Sequence, residues 1–397
     1  MSSLLIRNAR LVEPGRQIRT GDLQVTGGTI TAVGTVPETI PPPDVIVEAS
    51  GRLLTPGLID IHTHGVCHSL YENGPDALRS AARELGRFGV TTVLPTVVPR
   101  ISEGWLERLA EIASALPTIS GVNMPGLHLE GPFMAVGGAA CPTLSGDLGL
   151  LERILIACGD RLAVMSLSPD APNITPVIDR LSAGRIISFI THTRADVEQT
   201  EAALAAGARH ATHFYDVFYP PPETTPGVRP VGAVEAILAD PPASVDFIAD
   251  GVHVHPAAIR AAVAAKGWEG VILITDSNLG AGLPAGIYDT PWGYQVRVSP
   301  ETAARHVPEG FLAGSALTMD RGIVNLLRWL DLPAEHIWAM GTLNPARLLG
   351  LEHKGRLEHG ADADLVLWDK DLRPALTWVG GRVTFDRSAA SSSSSIS

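Results

Sequence analysis

The feature that most constrains the fold of this 397-residue chain is a long alternation of short apolar runs with helical patterns. Eight such runs lie between positions 58 and 277, and segments of helical periodicity separate most of them. Eight strands alternating with helices over roughly 220 residues are typical of an α/β fold of the (β/α)8 TIM-type barrel class. A doubly wound open sheet is the alternative, but no glycine-rich dinucleotide fingerprint follows the first run. The predicted strands are 58–64, 91–98, 125–131, 162–169, 186–193, 210–217, 245–251 and 271–277.

Both ends of the chain predict β-structure outside the barrel. Short strand-like segments broken by turns fill the first fifty-five residues, and the same pattern resumes at 362–369 and 375–386. Because neither end has enough strands for a core of its own, we expect both termini to form one small β-sandwich domain. The serine-rich end of the chain predicts disorder. The expected division is a β domain of 1–55 plus 351–387, a barrel of 56–350 and a disordered tail of 388–397.

Composition and charge narrow the range of partners. A net charge of −12 argues against nucleic acid or an anionic membrane as the main partner, although it leaves an anionic small molecule open. The three cysteines form no metal-knuckle spacing, and no signal peptide or membrane-spanning apolar stretch is visible. We therefore expect a cytoplasmic protein that acts on a small molecule.

Polar residues follow the predicted strands at the end where a barrel of this kind builds its active site. Any one of them has an ordinary structural explanation; an aspartate after the eighth strand, for example, could cap a helix. Six together are hard to explain in that way, because each buried polar group needs a partner of its own. The set comprises His62, His64, Glu130, His192, His213 and Asp276.

This set of side chains predicts a metal centre. Imidazole nitrogens and carboxylate oxygens suit zinc or a similar divalent ion. There are more donors than one tetrahedral ion can use, whereas two ions bridged by Glu130 would use them all. Hydrolysis at such a centre needs a water made acidic by the ion and a carboxylate that transfers its proton. Asp276 is the candidate for that carboxylate.

Longer motifs recur in an order that resembles a known family. The chain contains PGLIDIHTHG, HLEGPF, IADGVHVHP, LITDS, LAGSALTMD, TLNPARLLGL and GRLEHGADADLVLWD, together with the segments around His192 and His213. From about residue 4 to residue 386 the chain resembles the N-acetylglucosamine-6-phosphate deacetylases of the amidohydrolase superfamily. The resemblance implies a metal-dependent barrel enzyme that hydrolyses the amide bond of an N-acetyl amino sugar.

The resemblance also implies roles for particular residues. Metal ligands would be Glu130, His192 and His213, with His62 and His64 completing a second site, so one or two ions are implied. Zinc is the expected metal, and the same ligands also accept iron, cobalt or manganese. Asp276 would be the general acid and base and would lie at the metals, and His253 would contact substrate near the scissile amide. Family members commonly dimerise, which implies a homodimer. The segment Leu312, Ala313 and Gly314 would line the sugar pocket.

The sequence departs from the family pattern where the sugar phosphate should bind. Asp216 and Val217 occupy positions where the family usually has Asn and Ala, and the residue expected to be a phosphate-binding arginine is Thr224. Arg229 lies nearby and could substitute for it. The Lys-Gly-Ala-His that often follows HLEGPF is replaced at positions 138–141 by Gly-Ala-Ala-Cys, ending at Cys141. An aspartate near a phosphate is unfavourable by Coulomb's law.

Three hypotheses about function follow. The first is deacetylation of an N-acetyl amino sugar, phosphorylated as in the family. The second is the same hydrolysis on a non-phosphorylated N-acyl compound or a cyclic amide. The third is a non-catalytic scaffold, which the complete set of candidate metal ligands disfavours.

Overall fold

The computed structural model describes residues 3–36, 42–138, 141–290, 293–299 and 303–393. Its strands in chain order are β1 (Ser3–Glu13), β2 (Gln17–Thr26), β3 (Thr29–Gly34), β4 (Val45–Glu48), β5 (Leu53–Pro56), β6 (Leu58–Thr63), β7 (Gly65–Val66), β8 (Ser69–Leu70), β9 (Val90–Val97), β10 (Leu127–Glu130), β11 (Leu162–Leu167), β12 (Ile187–Ile190), β13 (His210–Ala211), β14 (Ser244–Ile248), β15 (Val271–Ile274), β16 (Gly286–Asp289), β17 (Gln295–Val298), β18 (Ala303–Val307), β19 (Leu312–Ser315), β20 (Leu365–Trp368), β21 (Pro374–Val379) and β22 (Arg382–Asp386).

The α-helices are α1 (Pro75–Leu85), α2 (Trp105–Ala115), α3 (Leu148–Cys158), α4 (Ile174–Ala183), α5 (Val197–Ala206), α6 (Ala233–Ala239), α7 (Pro256–Lys266), α8 (Met319–Trp329), α9 (Ala334–Met340), α10 (Leu343–Leu348) and α11 (Arg387–Ser393). Short 3-10 helices occur at Tyr71–Asn73, Gly86–Phe88, Leu116–Thr118 and Gly159–Arg161. None of the described helices has both the length and the apolar character that crossing a membrane requires.

The barrel contains all eight strands that the sequence predicts. They form one sheet in the order β15-β14-β13-β12-β11-β10-β9-β6, and each neighbouring pair is parallel. Hydrogen bonds link its two edges: the Asp276 amide donates to the His62 carbonyl at 2.9 Å, and the Thr275 hydroxyl donates to Asp60 at 2.6 Å. The sheet is therefore nearly closed, and the prediction of a (β/α)8 barrel is confirmed.

Local sequence explains why these elements form. Every residue of β9 is buried, as expected for a parallel strand that is covered on both faces. Helix α1 begins with a proline at its first turn and buries one apolar stripe against the sheet. Helix α5 begins with a capping box in which Asp196 and Gln199 satisfy each other's backbone amides. Alternating strands and amphipathic helices thus bring the strand ends to one face.

A second sheet joins the two ends of the chain. Its order is β22-β21-β20-β5-β1-β2-β3, with β4 pairing β1, so strands from both termini share one hydrogen-bonded array around a separate apolar core. The indole of Trp368, which is fully buried, donates to the Thr55 hydroxyl at 2.9 Å. The division into domains at the predicted boundaries remains a prediction. Helix α11 (Arg387–Ser393) overlaps the first part of the predicted tail of 388–397, and residues 394–397 lie outside the described part.

A third sheet, which the sequence analysis did not predict, lies after the last barrel strand. Its order is β16-β17-β18-β19, and each neighbouring pair is antiparallel. A parallel bridge between Ser277 and Ser315 attaches β19 to the end of the eighth barrel strand. The Ser315 amide donates to the Asp276 carbonyl at 3.1 Å. This sheet therefore brings β19 beside the C-terminal face of the barrel.

Candidate active site

The six candidate residues lie at equivalent places in the barrel. His62 is the second-to-last residue of β6, and Glu130 is the final residue of β10. The other four residues follow their strands by one or two residues. All six side chains lie at the C-terminal face, although they come from five different strands. The structure therefore brings together every residue that the sequence analysis assigned to the metal centre.

The Glu130 carboxylate lies in the middle of the cluster. Its Oε1 atom is 3.7 Å from His62 Nε2, 3.3 Å from His192 Nε2 and 3.2 Å from His213 Nε2. Its Oε2 atom is 3.3 Å from His64 Nε2. One carboxylate thus contacts four imidazoles through both of its oxygens, which is the arrangement expected of a group that bridges two ions.

Asp276 contacts the same cluster through two of its histidines. Its Oδ1 atom lies 3.2 Å from His64 Nε2 and 3.6 Å from His62 Nε2. Burial opposes ionisation of this carboxyl, but the His64 hydrogen bond and the neighbouring imidazoles lower its pKa to about 2. Asp276 is therefore ionised and positioned as a second carboxylate at the centre.

Hydrogen bonds on the outer side of the rings orient the imidazoles. Nδ1 of His192 donates to the Val136 carbonyl at 3.2 Å, and Nδ1 of His213 donates to the Asp216 carbonyl at 3.2 Å. Nδ1 of His62 lies 2.6 Å from the Thr212 hydroxyl. A bond at Nδ1 fixes the ring and aims Nε2 inward, which is the usual support of a metal-ligating histidine.

One ring nitrogen in the cluster has the surroundings expected of a metal ligand and not those of a structural histidine. His62 is fully buried, yet its Nε2 atom has no hydrogen-bond partner among the described residues. An unpartnered buried nitrogen is unfavourable unless another group completes it. The ligand atoms of His62, His64 and Glu130 all lie within 4.8 Å of one another. These residues therefore fit a divalent cation.

The electrostatics of the cluster also favour a cation. Burial opposes protonation of His213, yet the Glu130 hydrogen bond and the surrounding carboxylates raise its pKa to about 10. The pKa of His64 is raised for the same reasons, against burial and through Asp276 and Glu130. Burial would raise the pKa of Glu130, but hydrogen bonds from His192 and His213 hold it well below its ordinary value. The negative charge of Glu130 and Asp276, which raises the pKa of His64 and His213, attracts divalent ions as it attracts protons.

Three of the candidate residues have unusual backbone conformations. The φ angles of His192, His213 and Asp276 are 49°, 36° and 47°, in the left-handed region that L-residues rarely occupy. Each of them lies two residues after the end of its strand, where the chain must turn out of the sheet. Backbone strain of this kind is often found where a side chain has to be held for function.

A cavity of about 220 Å³ opens beside the cluster. Its lining includes all the predicted substrate-binding residues except one, namely Asp216, Val217, His253, Leu312, Ala313 and Gly314. His253 is held by Asp250, whose Oδ2 lies 2.6 Å from His253 Nδ1. Burial opposes protonation of His253, but this contact raises its pKa.

The exception is Arg229. Its side chain is 78% exposed and forms an ion pair with Glu235 instead of reaching the cavity. Thr224 is also exposed. Arg194 stacks on the Tyr219 ring, 4.4 Å from the ring centroid. Among the described residues that line the cavity, none is a lysine or an arginine.

Sequence reasoning missed several cavity residues. Asn278 is buried, and its side-chain amide donates to the Ala313 carbonyl, which fixes the β19 segment beside the site. Gly314 has φ 71°, and a Cβ there would lie 2.4 Å from Asn278 Nδ2. Asn278 directly follows the TDS motif, and this position was the sequence signal that could have identified it as a cavity residue. Glu72 and Tyr294 also line the cavity but lie outside every motif.

Comparison with known proteins agrees with this geometry. A model described as the Amidohydrolase family matches residues 177–384, just over half of the chain. The chain is 37% identical to an N-acetylglucosamine-6-phosphate deacetylase from Vibrio furnissii, over 84% of this chain and 83% of that protein. It is 31% identical to a deacetylase of the same name from Lysinibacillus sphaericus, over 96% of this chain and 97% of that protein. The chain belongs to the amidohydrolase family.

Solved structures support the same assignment. A mutant N-acetyl-D-glucosamine-6-phosphate deacetylase from Mycobacterium smegmatis, in complex with N-acetyl-D-glucosamine-6-phosphate, superposes with a TM-score of 0.84 at 26% identity. The alignment covers 97% of this chain and 100% of that one. The resemblance to N-acetylglucosamine-6-phosphate deacetylases is confirmed, and the chain is a hydrolase that acts on amide bonds. Its family is typically metal-dependent.

Proposed function

We propose that this enzyme removes the acetyl group from an N-acetyl amino sugar, as the relatives named N-acetylglucosamine-6-phosphate deacetylases do. The observation that carries the proposal is the convergence of four imidazoles on the Glu130 carboxylate, with Asp276 opposite, at the mouth of a barrel. Such a constellation serves hydrolysis far better than binding alone, because it combines a cation site with an ionised proton acceptor.

Residues of this chain would hold the metal as follows. Glu130, His192 and His213 would hold a first ion, and His62 and His64, together with Glu130, would hold a second. Zinc suits these nitrogen and oxygen donors. When bound, a divalent ion supplies Lewis-acid stabilisation of the developing negative oxygen and lowers the pKa of the attacking water.

The protein side chains perform the remaining tasks. Asp276 accepts the proton of the attacking water through Oδ1 and returns it to the departing nitrogen, as a general base and then a general acid. His253 donates a hydrogen bond to the substrate near the scissile amide while Asp250 fixes its ring. Leu312, Ala313 and Gly314 hold the sugar ring against the site.

A second candidate substrate, a non-phosphorylated or cationic N-acyl compound, is favoured by one observation. The described cavity lining includes four carboxylates but no lysine or arginine. Each charge-assisted hydrogen bond contributes about 1.5–3 kcal/mol, so two missing donors would weaken phosphate recognition by about 10²–10⁴-fold. The four carboxylates are Glu72, Glu130, Asp216 and Asp276.

Turnover of a small substrate panel tests both proposals. Metal-replete protein is assayed for acetate release from N-acetylglucosamine-6-phosphate, N-acetylglucosamine and N-acyl amino acids. Release of acetate from either sugar supports deacetylation, whereas hydrolysis confined to N-acyl amino acids would contradict it. We expect kcat/KM for the two sugars to differ by less than about 10-fold, given the missing donors. A strong preference for the phosphorylated sugar that Arg229→Ala abolishes would show that Arg229 does serve the phosphate.

We further propose a cytoplasmic homodimer. The three cysteines are all free in the structure, as is usual in a reducing compartment. The dimer is suggested by the resemblance, and light scattering of the purified protein would test it.

A further inference from the structure

The chain segment that follows β10 folds back over the metal cluster. The Val136 amide donates to the His192 carbonyl at 3.1 Å, and the His192 ring donates to the Val136 carbonyl at 3.2 Å. Further along, the Leu144 amide donates to the Pro132 carbonyl at 3.1 Å. Residues on both sides of position 141 are thereby attached to the site, whereas residues 139 and 140 lie outside the described part.

A glycine allows this segment to approach the site closely. A Cβ at Gly138 would lie 2.3 Å from His192 Cε1, far inside van der Waals contact. The backbone therefore passes directly against the imidazole. The segment therefore packs against His192, one of the candidate metal ligands.

This close approach brings Cys141 to the cluster. Its sulfur, the Glu130 carboxylate and a His192 ring nitrogen offer ligand atoms that all lie within 4.8 Å of one another. Cys141 is half-buried and lines the cavity. A buried cysteine is commonly a small apolar residue, but this one faces a carboxylate and an imidazole, which an apolar role does not explain.

We propose that the Cys141 sulfur is a ligand of the ion held by Glu130 and His192. The inference rests on the proposed metal centre. A thiol loses its proton when it binds a metal, so binding of the ion would release the Cys141 proton to solvent. A thiolate is a soft ligand that favours zinc or cobalt over magnesium and manganese.

Cobalt substitution tests the proposal without any substrate. A cobalt ion bound to a thiolate shows charge-transfer absorption in the near ultraviolet, which nitrogen and oxygen ligands do not give. We expect this band in the cobalt-loaded protein, its loss in Cys141→Ser, and its retention in Cys67→Ser. Cys67 is a suitable control because it is also half-buried but is absent from the described cavity lining. Stoichiometric cobalt without the band, or a band that survives in Cys141→Ser, would overturn the proposal.

Two further measurements keep the test decisive if the Cys141→Ser variant folds poorly. X-ray absorption of the zinc-loaded wild-type protein should show one sulfur neighbour at about 2.3 Å. Alkylation followed by mass spectrometry should show metal protecting Cys141 but not Cys67. In a folded Cys141→Ser variant, we expect metal affinity to fall at least about 10-fold.

A sulfur ligand without deacetylation would refute only the proposed function, and deacetylation without a sulfur ligand would refute only this inference.

Discussion

Replacing Asp276 by asparagine separates proton transfer from metal binding. The Asp276 carboxylate contacts His64 at 3.2 Å, and its backbone lies at φ 47°. Asparagine tolerates this left-handed conformation better than most residues, so the variant should keep the local backbone. It has nearly the same shape as aspartate but cannot accept and return a proton. Alanine at the same position would add backbone strain and an empty space to the loss of the carboxylate.

The expected loss of activity follows from the role assigned to the carboxylate. General acid–base catalysis contributes about 10²–10⁴-fold, so kcat should fall by that factor, equivalent to about 2.7–5.5 kcal/mol. Because Glu130, His192 and His213 remain, the variant should still bind one ion. Acetate release under saturating substrate gives kcat, and elemental analysis of the same samples gives the metal content.

A matched control is Asp289→Asn, which makes the same chemical change at an exposed position on β16. It should leave both kcat and metal content unchanged. If Asp276→Asn retains more than about a tenth of wild-type kcat with its metal bound, another group transfers the proton. If its activity is lost only because the metal is lost, Asp276 is mainly a ligand and the proposed role is wrong.

Three other changes test the site and the fold. Glu130→Gln should reduce the bound metal to well below one ion per chain in elemental analysis, because the carboxylate common to four imidazoles becomes neutral. Gly138→Ala should weaken metal binding in a cobalt titration, since its Cβ would collide with His192, whereas Gly137→Ala, with 3.8 Å to its nearest neighbour, should not. Removing residues 362–397 deletes the strand that pairs β5, so hydrogen exchange of the N-terminal strand amides should speed up; unchanged protection would contradict the pairing.

The barrel and the cluster of six polar side chains at its C-terminal face could be predicted from the sequence because both depend on local patterns. Continuous apolar runs identify buried parallel strands, and the polar residue that follows each run must emerge at the same face. Glu130 and Asp276 are distant in sequence, yet the topology alone brings them together. The backbone angles that aim His192 and His213 inward could not be foreseen, since they arise where each strand ends and the chain turns.

The β16–β19 sheet could not be predicted in the same way. Its alternating strands are short, and nothing in the sequence of residues 286–315 indicates which barrel strand they join. The attachment depends on the bridge between Ser277 and Ser315 and on the buried Asn278 amide. Long-range hydrogen bonds of this kind leave no periodic pattern of residues in the sequence. The family resemblance already implied that Ala313 lines the pocket, but the sheet that carries it to the barrel is a tertiary feature that only the folded chain reveals.

For phosphate recognition, the residue that the sequence suggested is not where the structure would need it. Arg229 was the nearest arginine in sequence, but Glu235 already neutralises it at the surface, where its side chain is 78% exposed. Moving it into the cavity would break that ion pair and bring it beside the carboxylates of the cavity lining. An exposed pair contributes at most about 1 kcal/mol, so the pairing alone would not prevent the move. The described cavity lining contains no lysine or arginine, and this is why substrate charge, and not the hydrolytic chemistry, is where this enzyme should differ from its relatives.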